Sequence, residues 1–125
     1  MSPVTLTFPA DSVNVALART VAAAMAARAD LTIDRLEDAR LAVDEAVAQL
    51  LPGAGPESTI TCAFISEPGT LRISVDGTWN GSQPPSTRTF GWTVLTALCT
   101  AVDARVDDGT LSLTLLVEGA VPASA

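Results

Sequence analysis

Glu45 and Gln49 stand four residues apart in a stretch that reads as helix, so they are neighbours on one helix face. A carboxylate and an amide therefore converge on whatever space lies beside them. The carboxylate can take a proton as a general base, and the amide can donate or accept a hydrogen bond. The plainer reading of the same pair is a solvated Glu and Gln. Asp76 ends an apolar strand and opens a Gly-containing loop, where a carboxylate can accept a hydrogen bond from a ligand amino group just beyond the sheet. Its plainer reading is a turn Asp before Gly77.

Missing residues narrow the chemistry further. The chain has no His, no Lys and no Tyr, and all 7 positive charges are Arg. That removes a His base, His-containing zinc sites, Schiff-base chemistry and the Lys of a phosphate-binding loop. What chemistry remains rests on carboxylates or on Ser and Thr. A formal charge of −7 repels phosphate backbones, and no Arg cluster offsets it locally, so direct nucleic-acid binding is not expected. A basic protein partner suits that charge. Cys62 and Cys99 lie far apart inside apolar segments and read as small buried hydrophobes rather than a metal pair or disulfide.

These groups need elements to hold them. Val4, Leu6 and Phe8 alternate with Thr5 and Thr7, the period-2 pattern of a half-buried strand, which Pro9 ends. An Ala-rich helix follows from the N-cap Asp11 to about Arg28, with an expected core stripe of Val13, Leu17, Val21 and Ala24. Opposite that stripe, Val15, Arg19, Ala22 and Ala26 form a seam with one charge, suited either to a partner or to a bland surface. A second helix runs from about Ile33 to Leu51, starting with a D-x-x-E at Asp34 and Glu37. Its main stripe is Leu36, Ala39, Val43, Ala46, Val47 and Leu50. Leu41, Ala42, Ala48 and Leu51 lie off the stripe, which predicts cover on more than one side.

Two hairpins and one helix complete the chain. Ile60, Cys62 and Phe64 alternate, the Pro68-Gly69 turn follows, and Leu71, Ile73 and Val75 alternate with Arg72 and Ser74. A Gly/Ser/Pro loop from Gly77 to Arg88 precedes a helix from Phe90 to Val102, capped by Thr89, with Val94, Leu95, Leu98 and Val102 inward. Gly91 at its start admits close approach of a ligand or loop, while Phe90 and Trp92 read as packing. Ala104 to Val106 and Leu111 to Leu115 flank the turn Asp108-Gly109.

The order strand-helix-helix-strand-strand-helix-strand-strand, with mostly one-sided strands, predicts an α/β (α+β) two-layer sandwich. One mostly antiparallel mixed sheet carries three helices on a single face. At 125 residues the chain makes one domain, expected over 1–118, with a mobile tail over 119–125. No apolar run approaches the roughly 20 residues of a membrane span. The segment Met1 to Phe8 has neither a basic segment nor an apolar signal core, and a cytoplasmic location is expected.

Three stretches carry a resemblance: LTFPADSVNVALARTVAAAM, DRLEDARLAVDEAVAQLL and FGWTVLTALCTAVDARVDDGTLSLTLL. In order and spacing the chain resembles the bacterial anti-sigma factor serine kinases of the RsbW type, built on the GHKL histidine-kinase-like ATPase fold. The resemblance implies a homodimer that sequesters a sigma factor and is released by a STAS-type anti-anti-sigma factor. Active members phosphorylate that competitor with ATP and magnesium.

By the same resemblance Glu45 stands at the catalytic carboxylate, Gln49 at the magnesium-holding Asn, and Asp76 at the Asp that receives the adenine amino group. Gln49 is one methylene longer than Asn, and magnesium tolerates misplacement poorly. The expected D-x-G-x-G reads Asp76-Gly77-Thr78-Trp79-Asn80. The lid from Gly81 to Arg88 is short, and its phosphate-facing glycines reduce to Gly91. Val15, Arg19 and Ala22 fall on the partner-binding helix. Together these imply a degenerate member with weak ATP and magnesium binding and little or no kinase activity. The alternatives are a working serine kinase with Gln49 in place of Asn, and a nucleotide- or small-molecule-sensing module.

Overall fold

The structure, a computed structural model, describes residues 3–119, so the expected tail lies almost wholly outside the described residues. Alternating apolar residues build five strands: β1 (Val4–Pro9), β2 (Thr59–Glu67), β3 (Thr70–Thr78), β4 (Ala101–Asp107) and β5 (Thr110–Glu118). Three helices lie between them: α1 (Val15–Arg28), α2 (Ile33–Leu50) and α3 (Phe90–Leu98). The strands form one sheet in the order β1-β2-β3-β5-β4, and every neighbouring pair is antiparallel. The expected mixed sheet is thus corrected to a wholly antiparallel one. β3 and β4, joined through α3, run parallel to each other, but β5 enters between them and pairs antiparallel with both, so no parallel ladder forms.

Side-chain parity puts all three helices on one face. Ile60, Cys62 and Phe64 of β2, Leu71, Ile73 and Val75 of β3, and Leu111, Leu113, Leu115 and Val117 of β5 are buried beneath them. The alternate residues, among them Thr61, Ala63, Ser74, Ser112 and Thr114, line the other face, which no helix covers. The hairpin turn between β4 and β5 has Asp108 at φ 47° and Gly109 at φ 77°, the double positive φ that lets a two-residue turn match the strand twist.

Capping residues fix where the helices begin. Asp11 accepts a hydrogen bond from the Val13 N–H at 3.2 Å, but it caps a short 3-10 turn, Ser12–Asn14, that leads into α1. Thr32, rather than the D-x-x-E segment, caps α2 by accepting from the Arg35 N–H at 3.3 Å. Helix α3 stops at Leu98, four residues short of the expected end. The period-2 run Val102, Ala104, Val106 pairs with Leu115, Leu113 and Leu111 instead, and cross-strand pairing outweighs helix propensity there.

Helix α1 departs from its expected orientation. Its buried residues are Ala18, Ala22, Met25 and Ala26, whereas Val13 is 74% exposed and Leu17 53% exposed. Ala22 and Ala26 of the seam expected to face outward therefore face inward, while Arg19 stays accessible. The reason lies in the neighbouring helix. Helix α1 packs along α2, whose Ala39, Ala42 and Ala46 are also fully buried, and such small side chains let two backbones approach closely. Larger residues find no room between them and turn outward. Helix α2 occupies the middle, with α1 on one flank, α3 on the other and β3 and β5 beneath, which is the cover on several sides that its sequence predicts. Of the off-stripe residues, Ala42 is buried and Leu51 half-buried, whereas Leu41, at 50% exposed, and Ala48 stay outside that cover.

Candidate functional site

The pair Glu45 and Gln49 lies on the flank of α2 that meets α3, and both side chains are half-buried. What they meet is the first turn of α3. Thr89 caps that turn, accepting from the Trp92 N–H at 3.1 Å and donating to the Ser86 carbonyl at 3.2 Å. Gly91 is pressed onto the pair: a Cβ there would collide with Glu45 Oε1 and stand 2.5 Å from Gln49 Nε2. Only glycine permits this approach without displacing those side chains. Among the described residues no cavity opens beside them. The first-turn N–H groups of α3 make a positive helix end, so a negative carboxylate against it is favoured without any ligand.

The loop before α3 is tied back to the sheet. The Trp79 backbone N–H donates to the Gly109 carbonyl at 2.9 Å, and its indole N–H donates to the Gln83 carbonyl, also at 2.9 Å.

Asp76 does not join Glu45 and Gln49. Val75 and Gly77 are buried under the helices, so Asp76 between them points to the opposite, open face of the sheet, where the Ser74 hydroxyl donates to its Oδ1 at 3.2 Å. This corrects its expected place beside a pocket. The alternation of Leu71, Ile73 and Val75 already carries the parity that puts Gly77 on the helix side. No carboxylate would fit at that point either. A Cβ on Gly77 would stand 3.3 Å from Leu50 Cδ1 and 3.5 Å from Ile60 Cγ1, so the space under α2 is filled by core.

The residues expected to meet a partner separate in the same way. Ala22 is fully buried, and Val15 is half-buried against the core, so neither presents a free side chain there. Arg19 remains accessible, with its Nε 3.8 Å from Asp44 Oδ1 and both side chains about two-fifths exposed. A pair so exposed adds little to stability. Val13 and Leu17, read from the sequence as core, are the exposed apolar residues at this end of the molecule. The Ala18, Ala22, Ala26 repeat was the signal for that reversal.

Both thiols are buried and unpaired with each other, as expected. Burial pushes the Cys62 thiol up to about 12, with the Asp76 charge adding to the rise. Burial does the same to Cys99, to about 12, with Asp38 raising and Arg35 lowering it. Neither is a nucleophile at neutral pH.

Against known proteins, the family described as histidine kinase-like ATPase domain matches residues 8–115. The chain is 31% identical over 94 residues to the anti-sigma-F factor RsbW of two Mycobacterium tuberculosis strains. That alignment takes in 75% of this chain and 56% of the relative, so the chain spans little more than half of the curated proteins it matches. Its fold is similar to the structure of the RsbU and RsbW domains of Rv1364c from Mycobacterium tuberculosis. The TM-score is 0.76 at 18% identity, over 98% of this chain and 34% of that one.

Proposed function

The chain belongs to the histidine kinase-like ATPase domain family, and from that premise we propose that it is an anti-sigma factor. It sequesters a sigma factor as a homodimeric protein clamp in a partner-switching system, and a STAS-type anti-anti-sigma factor competes for it. The similarity to anti-sigma-F factors supports the partner class. The observation that carries the non-enzymatic part of the reading is Gly91 pressed onto Glu45 and Gln49. A nucleotide site does not fit the residues as they stand. The helix-side position of β3 is Gly77 beneath Leu50, Asp76 faces away, and Gln49 is occupied by the first turn of α3. Phosphoryl transfer depends on positioned donors and metal around the phosphates, and here the first turn of α3 already takes up the space beside Glu45 and Gln49.

The clamp uses the exposed side of α1. Leu17 and Val13 supply apolar area, Arg19 supplies one charge that can pair, and the acidic surface attracts basic faces of a sigma factor. Co-purification from the native cell tests the partner. The tagged chain should retain a sigma factor, and Arg19→Glu should weaken that binding by about 2–5 kcal/mol where the Arg is paired and buried in the complex. Unchanged affinity in titration removes the α1 assignment.

One arrangement favours a second reading, an active ATP-dependent serine kinase of an anti-anti-sigma factor. Glu45 and Gln49 do meet a helix N-terminus, a place that suits phosphate. Calorimetry with ATP and magnesium and a radiolabel transfer assay decide between them. Transfer that vanishes in Glu45→Ala would establish the kinase reading and overturn the first.

A further inference from the structure

Two asparagines occur in the chain, and their settings are opposite. Asn14 stands at the N-cap position of α1, where its side-chain amide donates to the Pro9 carbonyl at 2.9 Å. The next residue, Val15, is β-branched and half-buried, and its backbone N–H donates to the Ser12 carbonyl. That amide is held, and its neighbour is shielded. Asn80 lies between β3 and α3 with Gly81 after it, and both residues are exposed. Among the described residues, neither the Asn80 side chain nor the Gly81 N–H has a hydrogen-bond partner.

An Asn followed by Gly carries both reactants of one reaction. The Asn80 Cγ and the Gly81 nitrogen close a five-membered ring when they join, and held within one chain they need no encounter in solution. Helix and strand forbid the approach, since both fix the backbone and engage the next N–H. Asn80 lies in neither. Gly81 has no Cβ to shield its nitrogen or to restrict the turn that brings it against the side chain.

We propose that Asn80 is a self-modification site, an amide that becomes a carboxylate without enzyme or cofactor, and that its conversion unties the loop before α3. The Gly81 nitrogen gives its proton to water and bonds to the Asn80 Cγ. The Cγ–Nδ2 bond then breaks, and Nδ2 leaves as ammonia. Water reopens the resulting cyclic imide, giving aspartate when the new bond to nitrogen breaks and isoaspartate when the original peptide bond does. In sum one water enters and one ammonia leaves, with no change of oxidation state. Either product makes the chain one charge more negative than −7.

Isoaspartate also routes the main chain through the side-chain carbons, which lengthens it by a methylene. That atom falls inside a closed loop. The Trp79 indole N–H donates to the Gln83 carbonyl at 2.9 Å, and a Cβ on Gly81 would stand 3.0 Å from the same indole nitrogen. A loop closed so tightly cannot take a longer chain and keep that bond. Trp79 is joined to the sheet through the Gly109 carbonyl, and the loop runs on to Thr89, the cap of α3, so the tie that loosens is the one between sheet and α3. The inference is independent of the sigma-factor partner and of dimerisation.

Incubation of the full chain at neutral pH, followed by peptide mapping by mass spectrometry, tests the site. The Asn80 peptide should gain about one mass unit and split into aspartate and isoaspartate forms, while the Asn14 peptide converts at least about tenfold more slowly because α1 must first open. Asn80→Gln, whose longer side chain would have to close a six-membered ring, should show no gain over the same period. The NMR signal of the Trp79 indole N–H reads the untying separately. It should move to a solvent-exposed position in the isoaspartate form and stay in place in Asn80→Asp, which carries the charge without the longer backbone. No gain at Asn80, equally fast conversion of Asn14, or an equal gain in Asn80→Gln overturns the site. An indole signal unmoved in the isoaspartate form overturns the untying, and one that moves as far in Asn80→Asp overturns backbone length as its cause.

Discussion

α1 and α2 lie side by side on the same sheet face, both rich in alanine, yet they bury opposite kinds of residue. α2 turns Val43, Val47 and Leu50 inward along with its alanines. α1 buries three alanines and Met25 and leaves Val13 and Leu17 in water. The difference is one of position. α2 has the sheet beneath and a helix on each flank, so large residues find cover in several directions. α1 is the outer helix, and the gap to its neighbour admits only small side chains. An apolar residue that faces solvent on such a helix is left over from packing and free for recognition.

The largest test of that comparison is stability. Leu50→Ala should cost about 2–5 kcal/mol, because it removes a buried side chain and leaves a cavity. Ala22→Leu should cost about 1–3 kcal/mol by overfilling the seam between the two helices. Leu17→Ala should cost under about 0.5 kcal/mol. Denaturant unfolding gives all three. A Leu17→Ala cost equal to that of Leu50→Ala would mean that α1 is oriented as its sequence alone suggests.

A sharper test concerns the other flank of α2. Gly→Ala at a helical position normally stabilises by about 0.4–1 kcal/mol through the unfolded chain. Gly91→Ala should fall short of that gain, since its Cβ pushes the flexible ends of Glu45 and Gln49 aside. In a Glu45→Ala, Gln49→Ala background the same change should recover the full gain. That difference in a double-mutant cycle would demonstrate the direct contact between α3 and α2. Additive effects would place α3 away from the pair.

At neutral pH the smallest effect belongs to the thiols, which are protonated there in both folded and unfolded chain. Cys62 lies on β2, the strand that α1 covers, and Cys99 follows α3 within reach of the α2 charges Asp38 and Arg35. Each is held at about 12 in the folded chain against an ordinary value of 9.0. The folded form therefore keeps protons that the unfolded form releases, and the stability they contribute is complete below pH 9 and lost as pH rises through 12. With no Lys and no Tyr in the chain, these are the only side chains expected to titrate in that window. Unfolding free energies from pH 8 to 11.5 should fall for wild type and flatten step by step in Cys62→Ala and Cys99→Ala. A single step would show that only one of the two regions stays closed at high pH.

The sequence by itself determined the order of elements, both hairpins, the helix-bearing face of the sheet and the Glu45–Gln49 pair on one face of α2. Each follows from local periodicity, caps and turn residues, which act over a few positions of the chain. Even the placement of Asp76 was legible, because strand parity fixes it once Leu71, Ile73 and Val75 are known to be core. Tertiary structure decided what lies between elements. The rotation of α1 depends on how near α2 stands, the end of α3 depends on β4 finding β5, and the cover over Glu45 depends on Gly91 arriving from 46 residues away. Those outcomes are contests between distant segments for the same space, and no local pattern records which of them wins.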